Sequence, residues 1–176
     1  MNLSTARCNV RPFIEANIDA FMAYRNNMVW MKYQGFKGLT KQEYTKVLLE
    51  NHSLMDGMQL AIICKQSNFL IGDLYLKQEG NTCWIGYTIT PQESRRGYIY
   101  EVVPAVICFL ASQGITCIKA GVTIDNDASV SLLKKLKFNF LNTEADEQIF
   151  YLNLRTSHNV YSVNQDKLPN FAVNQN

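Results

Sequence analysis

Apolar positions along this chain recur with two periods, and the switches between them mark the elements. Residues 7–13 alternate and run into Pro12, which predicts a short first strand. Helical spacing follows over 15–26, where Ile18, Phe21, Met22 and Arg25 share a face. It returns over 41–51, with Thr40 as the N-cap. The link between these helices carries Gly35, Gly38 and three aromatic side chains, Trp30, Tyr33 and Phe36. Three strand-like runs come next, at 59–64, 69–76 and 83–90, the last ended by Pro91. Turn-like residues 65–68 and 79–81 separate them, so an antiparallel meander is predicted.

A longer helix is predicted over 97–112, with Ile99, Val102, Val103, Val106, Ile107 and Leu110 on one stripe and Gly114 closing it. Pro104 falls inside it, removes a main-chain hydrogen bond to about Tyr100, and predicts a kink. A strand over 116–124, a short helix over 128–136 and two last strands at 138–142 and 148–154 complete the pattern. Residues Glu144-Ala-Asp-Glu147 read as a hairpin turn. The sum is a mixed α/β fold of the α+β type. A mostly antiparallel sheet is flanked by helices, with one strand–helix–strand crossover.

Composition supports a folded domain. With 47% hydrophobic and 18% charged residues the chain is globular in character, and 176 residues fit one domain with a sizeable core. A net charge of +2 is too mild for a nucleic-acid or membrane partner, which needs a basic face. The five cysteines are scattered, without a CxxC pair, and read as buried hydrophobes in a reducing compartment rather than metal ligands. No run of roughly 18 apolar residues is present, and the N-terminus lacks a signal-like segment. A cytoplasmic protein, monomer or homodimer, is expected. The domain is expected over 1–155. From 156 to 176 the chain turns polar and Asn-rich, a tail that is either loose or docked on a neighbouring subunit.

The chemistry-bearing segment is strand, turn and helix, with Arg95-Arg96-Gly97-Tyr98 at the turn. A helix N-terminus offers unpaired N–H groups and a partial positive charge, and so attracts phosphate. Gly97 allows close approach, and Arg95 and Arg96 add charged donors. After the next strand comes Asn126-x-x-Ser129, leading a Leu-rich helix that ends at Phe138.

Taken in order, these pieces resemble the GNAT N-acetyltransferase superfamily, in particular its RimJ/RimL-like branch. The resemblance also uses Thr5-Ala-Arg7 with Arg11-Pro-Phe13, Leu70-Ile-Gly-Asp-Leu74, Ile85-Gly-Tyr87 and Gly97-Tyr-Ile-Tyr-Glu101. It implies splayed central strands with the pantetheine of acetyl-CoA between them, and main-chain groups of Tyr87 and Ile89 binding the arm and polarising the thioester. It implies a pyrophosphate site over Ser94, Arg95, Arg96, Gly97, Tyr98 and Ile99. Asn126 would contact the pantetheine and Ser129 would protonate the departing thiolate, although Asn126 is also placed to cap its helix. The implied reaction is direct attack of a primary amine on acetyl-CoA, the acceptor being a protein or peptide N-terminus or a small molecule, with no metal. The alternative is a GNAT-like CoA-binding or protein-interaction module with weak or absent catalysis.

Departures from the family pattern bear on that alternative. Ser94 and Ile99 stand at places usually held by Gln or Arg and by Gly or Ala, so weaker cofactor affinity is expected. Lys137 replaces the usual Gly before Phe138, and Trp84 replaces a Glu that helps deprotonate the amine. By residue type the base candidates are Glu79, Glu43, His52 and Asp73, each also readable as a solvated surface group. Trp30, Tyr33, Phe36 and Tyr24 either wall an acceptor pocket or join the core.

Overall fold

The computed structural model describes residues 1–50 and 53–154, so the polar tail over 156–176 and His52 lie outside the described residues. In chain order the elements are β1 (Leu3–Ser4), β2 (Cys8–Pro12), α1 (Ile18–Arg25), α2 (Lys41–Leu49), β3 (Met58–Cys64), β4 (Leu70–Glu79) and β5 (Thr82–Ile89). They continue with α3 (Tyr98–Ser112), β6 (Cys117–Thr123), α4 (Asp127–Lys135), β7 (Asn139–Glu144) and β8 (Glu147–Asn153). Short 3-10 turns precede α1 and α3, at Glu15–Asn17 and Pro91–Glu93. The two-residue β1 is too short to show a period, so the hydrophobic pattern does not predict it. Thr40 caps α2 as expected, and its hydroxyl and the Glu43 carboxylate serve each other in a capping box. Glu43 is therefore a structural group, its carboxyl held low by the Thr40 N–H and hydroxyl.

One eight-stranded sheet follows the order β1-β2-β3-β4-β5-β6-β8-β7. The meander β3–β4–β5 is antiparallel throughout, and among the described residues only β5 and β6 run parallel, joined by the α3 crossover. Alternation sorts the strands between two cores. Leu60, Ile62, Leu74, Leu76, Cys83, Ile85, Ile118, Ala120 and Val122 pack under α3 and α4. Ala61 and Ile63 point the other way, into the cluster formed by Phe13, Ile18, Phe21, Tyr24, Tyr44 and Leu48 of the α1–α2 face.

The apolar stripe of α3 is buried as predicted, and the helix runs through Pro104 without a break. Gly114, at φ 87°, ends it: its N–H reaches the Ala111 carbonyl and that of Ile115 reaches Leu110, both at 3.1 Å. Helix α4 ends in the same way. Lys137 N–H donates to Lys134 and Phe138 N–H to Leu133, both at 3.0 Å. Lys137 therefore sits at φ 64° in the left-handed position that glycine favours, which accounts for the family's preference there. No helix among the described residues is long and apolar enough to cross a membrane.

Candidate active site

The site arises where the sheet comes apart. Strands β5 and β6 pair only through Thr82–Trp84 and Cys117–Lys119, yet β5 continues to Ile89 and β6 to Thr123. Between the diverging ends lies a gap of about 180 Å³. It is lined by Ile85, Gly86 and Tyr87 on one wall and residues 120–123 on the other, with Asn126, Ser129, Glu147 and the loop residues 33–35 around it. The Thr90 N–H donates to the Ile71 carbonyl at 2.8 Å, and this sets the phase of the β4–β5 ladder. In an antiparallel pair alternate residues turn their N–H and C=O away from the partner, so Tyr87 and Ile89 present theirs toward the gap.

The loop between α1 and α2 straps the open end. Trp30 Nε1 donates to the Ile89 carbonyl at 2.8 Å, and the Tyr33 hydroxyl donates to the Asp125 carbonyl at 2.9 Å, so the loop is tied to both walls. The four aromatics that read as pocket or core thus divide. Phe36 packs on Phe21 and Tyr44 in the core, and the Tyr24 hydroxyl donates to Asp73 at 2.6 Å in the interior. Tyr33 lines the gap, and Trp30 is tied to Ile89 at its edge.

Asp73 corrects the surface reading given to it. It is fully buried, paired with Arg25 and hydrogen-bonded by Gln59 as well as Tyr24. Burial and the neighbouring carboxylate push the Tyr24 phenol well above its ordinary range. Arg25 in turn donates to the Phe36 carbonyl at 3.2 Å, which connects the buried pair to the strap. Glu79 accepts from Trp84 Nε1 at 3.0 Å, at the joined end of β5 and β6 rather than in the gap. Neither carboxylate reaches the place where an amine would react.

Asn126 and Ser129 both reach the gap. Asn126 also caps α4, its Oδ1 accepting the Ser129 N–H at 3.3 Å, so the capping role holds. The Tyr87 hydroxyl is buried beside them without a hydrogen-bond partner of good geometry. Burial raises its phenol to about 12, and the nearby Ser129 hydroxyl works in the opposite direction. Tyr87 therefore keeps its proton at any physiological pH and can donate a hydrogen bond.

Beyond Ile89 the chain makes the expected turn into α3. Arg95 and Gly97 are both left-handed, at φ 59° and 78°, and no side chain caps the helix. Its first N–H groups thus remain free for an anion. Ser94 is half-buried, its hydroxyl donating to the Pro91 carbonyl at 2.9 Å, and Arg96 pairs with Glu93 at 3.0 Å. Arg95 is exposed and makes no ion pair among the described residues. The Ile99 side chain points into the α3–sheet core with 7% exposure, as its place on the apolar stripe predicts. Its main-chain N–H is left unobstructed by that arrangement.

Sequence reasoning missed how the turn is held. Glu101, on the first turn of α3, accepts from Thr5 Oγ1 at 2.6 Å, Arg7 N–H at 2.7 Å and Arg7 Nε at 2.5 Å. Burial alone would raise its carboxyl, but these hydrogen bonds and the Arg7 charge outweigh it, and the net shift is downward. Arg7 also donates to the Arg96 carbonyl at 3.0 Å and lies over the Tyr98 ring. The Glu101 charge is thereby paired, and the turn is clamped to the segment joining β1 and β2.

Residues 7–139 match the family model described as an acetyltransferase (GNAT) domain. No curated protein sequence matches the chain. Among solved structures, a GNAT-family acetyltransferase from Bacillus anthracis superposes with a TM-score of 0.78 at 18% identity, over 88% of this chain and 99% of that one. RimL, a ribosomal-protein α-N-acetyltransferase solved with coenzyme A, gives 0.76 at 16% identity, over 88% and 98%. A spermidine N-acetyltransferase from Vibrio cholerae, solved with CoA and spermine, gives 0.72 at 14% identity, over 88% and 99%. The splayed sheet and the matched family model lead to one conclusion: the chain belongs to the acetyltransferase (GNAT) family and is an acetyl-CoA-dependent N-acetyltransferase.

Proposed function

We propose that this enzyme acetylates a primary amine, on a peptide or protein N-terminus or on a small molecule, in the RimJ/RimL-like manner. The observation that carries the reading is the gap between β5 and β6, lined from both faces of the sheet. Residues Arg95, Arg96, Gly97, Tyr98 and Ile99, with the Ser94 turn before them, would hold the pyrophosphate through main-chain N–H groups and the two guanidinium groups. Asn126 and the outward main-chain groups of Tyr87 and Ile89 would hold the pantetheine. When bound, acetyl-CoA supplies an activated acyl thioester that a neutral amine attacks directly. The Tyr87 and Ile89 main chain would face the polarised carbonyl; as the C–S bond breaks, the Ser129 hydroxyl would donate a proton to the leaving sulfur and be restored by the proton that the amine nitrogen gives up, passed through solvent water. The five cysteines are free, which fits the reducing cytoplasm proposed for the protein.

Replacement of Ser129 tests this reading cleanly, because its main-chain N–H, not its hydroxyl, joins the α4 cap. Ser129→Ala is expected to lower kcat about 100-fold on an amine panel, read as thiol release, with acetyl-CoA affinity unchanged. An unchanged kcat would remove Ser129 from the chemistry. The competing reading, a CoA-binding module without catalysis, is motivated by Trp84 in place of a Glu. It would be supported if the wild type bound CoA but turned over no amine.

A further inference from the structure

The residues lining the gap include a single carboxylate, and in the sequence it reads only as part of a hairpin turn. Glu147 opens β8 opposite Thr123 of β6, and its side chain lies back along β6. A Cβ placed on Gly121 would lie 2.6 Å from Glu147 Oε2, so the carboxylate occupies space that only a glycine leaves free. The face is fixed by alternation. Ala120 and Val122 point into the α3–α4 core, so Gly121, Thr123 and Glu147 face the α1–α2 side.

Across the gap, Gly86 points to the same side, with the Tyr75 side chain as its near neighbour, so neither wall puts a side chain there. Two of the polar groups nearby are already engaged. The Tyr33 hydroxyl is committed to Asp125, and Asn126 Oδ1 to Ser129. Lys119 stands over the Trp84 ring, 5.5 Å from its centroid, at the joined end of the strands. The main chain of Glu147 belongs to the β6–β8 and β7–β8 ladders, while its carboxylate makes no hydrogen bond or ion pair among the described residues. Glu147 is solvent-exposed, so its carboxylate stands at the mouth of the gap, where a negative charge attracts an incoming cation.

We propose that Glu147 is the specificity-determining residue of the acceptor side. It holds the ammonium form of the incoming amine on the α1–α2 face, opposite the face that carries Ser129. The inference rests on the acetyl-transfer reading of the gap and adds the chemistry of the acceptor: a cationic amine, recognised by charge before it loses its proton to solvent water. Glu147 acts in binding, so its loss should appear in the acceptor's affinity and KM rather than in kcat.

The test is calorimetry on the full chain saturated with CoA, using alanine amide as a cationic amine and acetohydrazide as an amine that is neutral at pH 7. Alanine amide is expected to bind the wild type and to bind Glu147→Gln about tenfold more weakly, the loss of one charge-assisted contact. Acetohydrazide should bind both alike, and Glu147→Lys should bind no alanine amide. Equal affinity of wild type and Glu147→Gln for alanine amide would overturn the proposal. So would an equal loss for both probes, which marks a structural role, or a wild type that binds CoA but no alanine amide. If CoA itself gave no heat, the acetyl-transfer reading would fail and the proposal with it.

Discussion

Asp73→Ala is expected to lower the unfolding free energy by about 3–5 kcal/mol, measured by equilibrium denaturation in urea. The carboxylate is fully buried, and its partner Arg25 is 4% exposed, wedged over the rings of Phe21 and Phe36. Removing the acid strands a guanidinium in an apolar cluster and leaves the Tyr24 hydroxyl and the Gln59 amide without their acceptor. For a domain whose whole stability is on the order of 5–15 kcal/mol, that is close to unfolding. The double variant Asp73→Leu/Arg25→Met should be less damaged than Asp73→Ala, since no charge is left unpaired. The exposed pair Asp19–Lys41 supplies the contrast: Asp19→Ala should cost less than about 1 kcal/mol. A loss below about 1 kcal/mol for Asp73→Ala would mean that the buried pair is not what fixes α1 and the strap on β4.

Gly97→Val should weaken acetyl-CoA binding by about 100-fold in calorimetry, roughly 2.7 kcal/mol. Gly97 is left-handed at φ 78° and is the N-cap of α3, while space around it is adequate, since a Cβ there would stand 3.7 Å from Arg7 Nη2. The objection to valine is therefore conformational. A β-branched residue in that region is a true outlier, and the left-handed state costs roughly 1–2 kcal/mol. The chain escapes the strain by rotating the turn, which turns the N–H groups of Tyr98 and Ile99 away from a phosphate. The Arg7–Glu101 clamp resists this rotation, so the loss falls on binding more than on folding. A dissociation constant within about threefold of wild type would show that the turn does not bind the cofactor.

The strands and the crossover are legible in the sequence because their signals are local. Leu60 and Ile62 alternate with Ala61 and Ile63, and the stripe from Ile99 to Leu110 repeats at helical spacing, so each side follows from a few neighbours. The turn into α3 is legible for the same reason, since Gly97 and its arginines are adjacent. What stays hidden depends on long-range pairing. Asp73 reads as an ordinary charged residue until Arg25, 48 positions away, is brought onto it. Glu147 reads as a turn residue until the β6–β8 register lays it over Gly121. Glu101 looks like part of a helix start, and its partners Thr5 and Arg7 come from the other end of the chain. Ile99 has both readings at once: its position is beside the turn, and its helical phase on the stripe directs the side chain inward.

Whether the gap between β5 and β6, together with the turn that follows β5, holds coenzyme A is tested most directly by amide hydrogen exchange. Measured on the full chain with and without saturating CoA, exchange reports the contact residue by residue. The result expected is slowed exchange at Tyr87, Ile89, Gly97, Tyr98 and Ile99, with the β3–β4 ladder unchanged. Unaltered exchange at all of these amides under saturating CoA would contradict it.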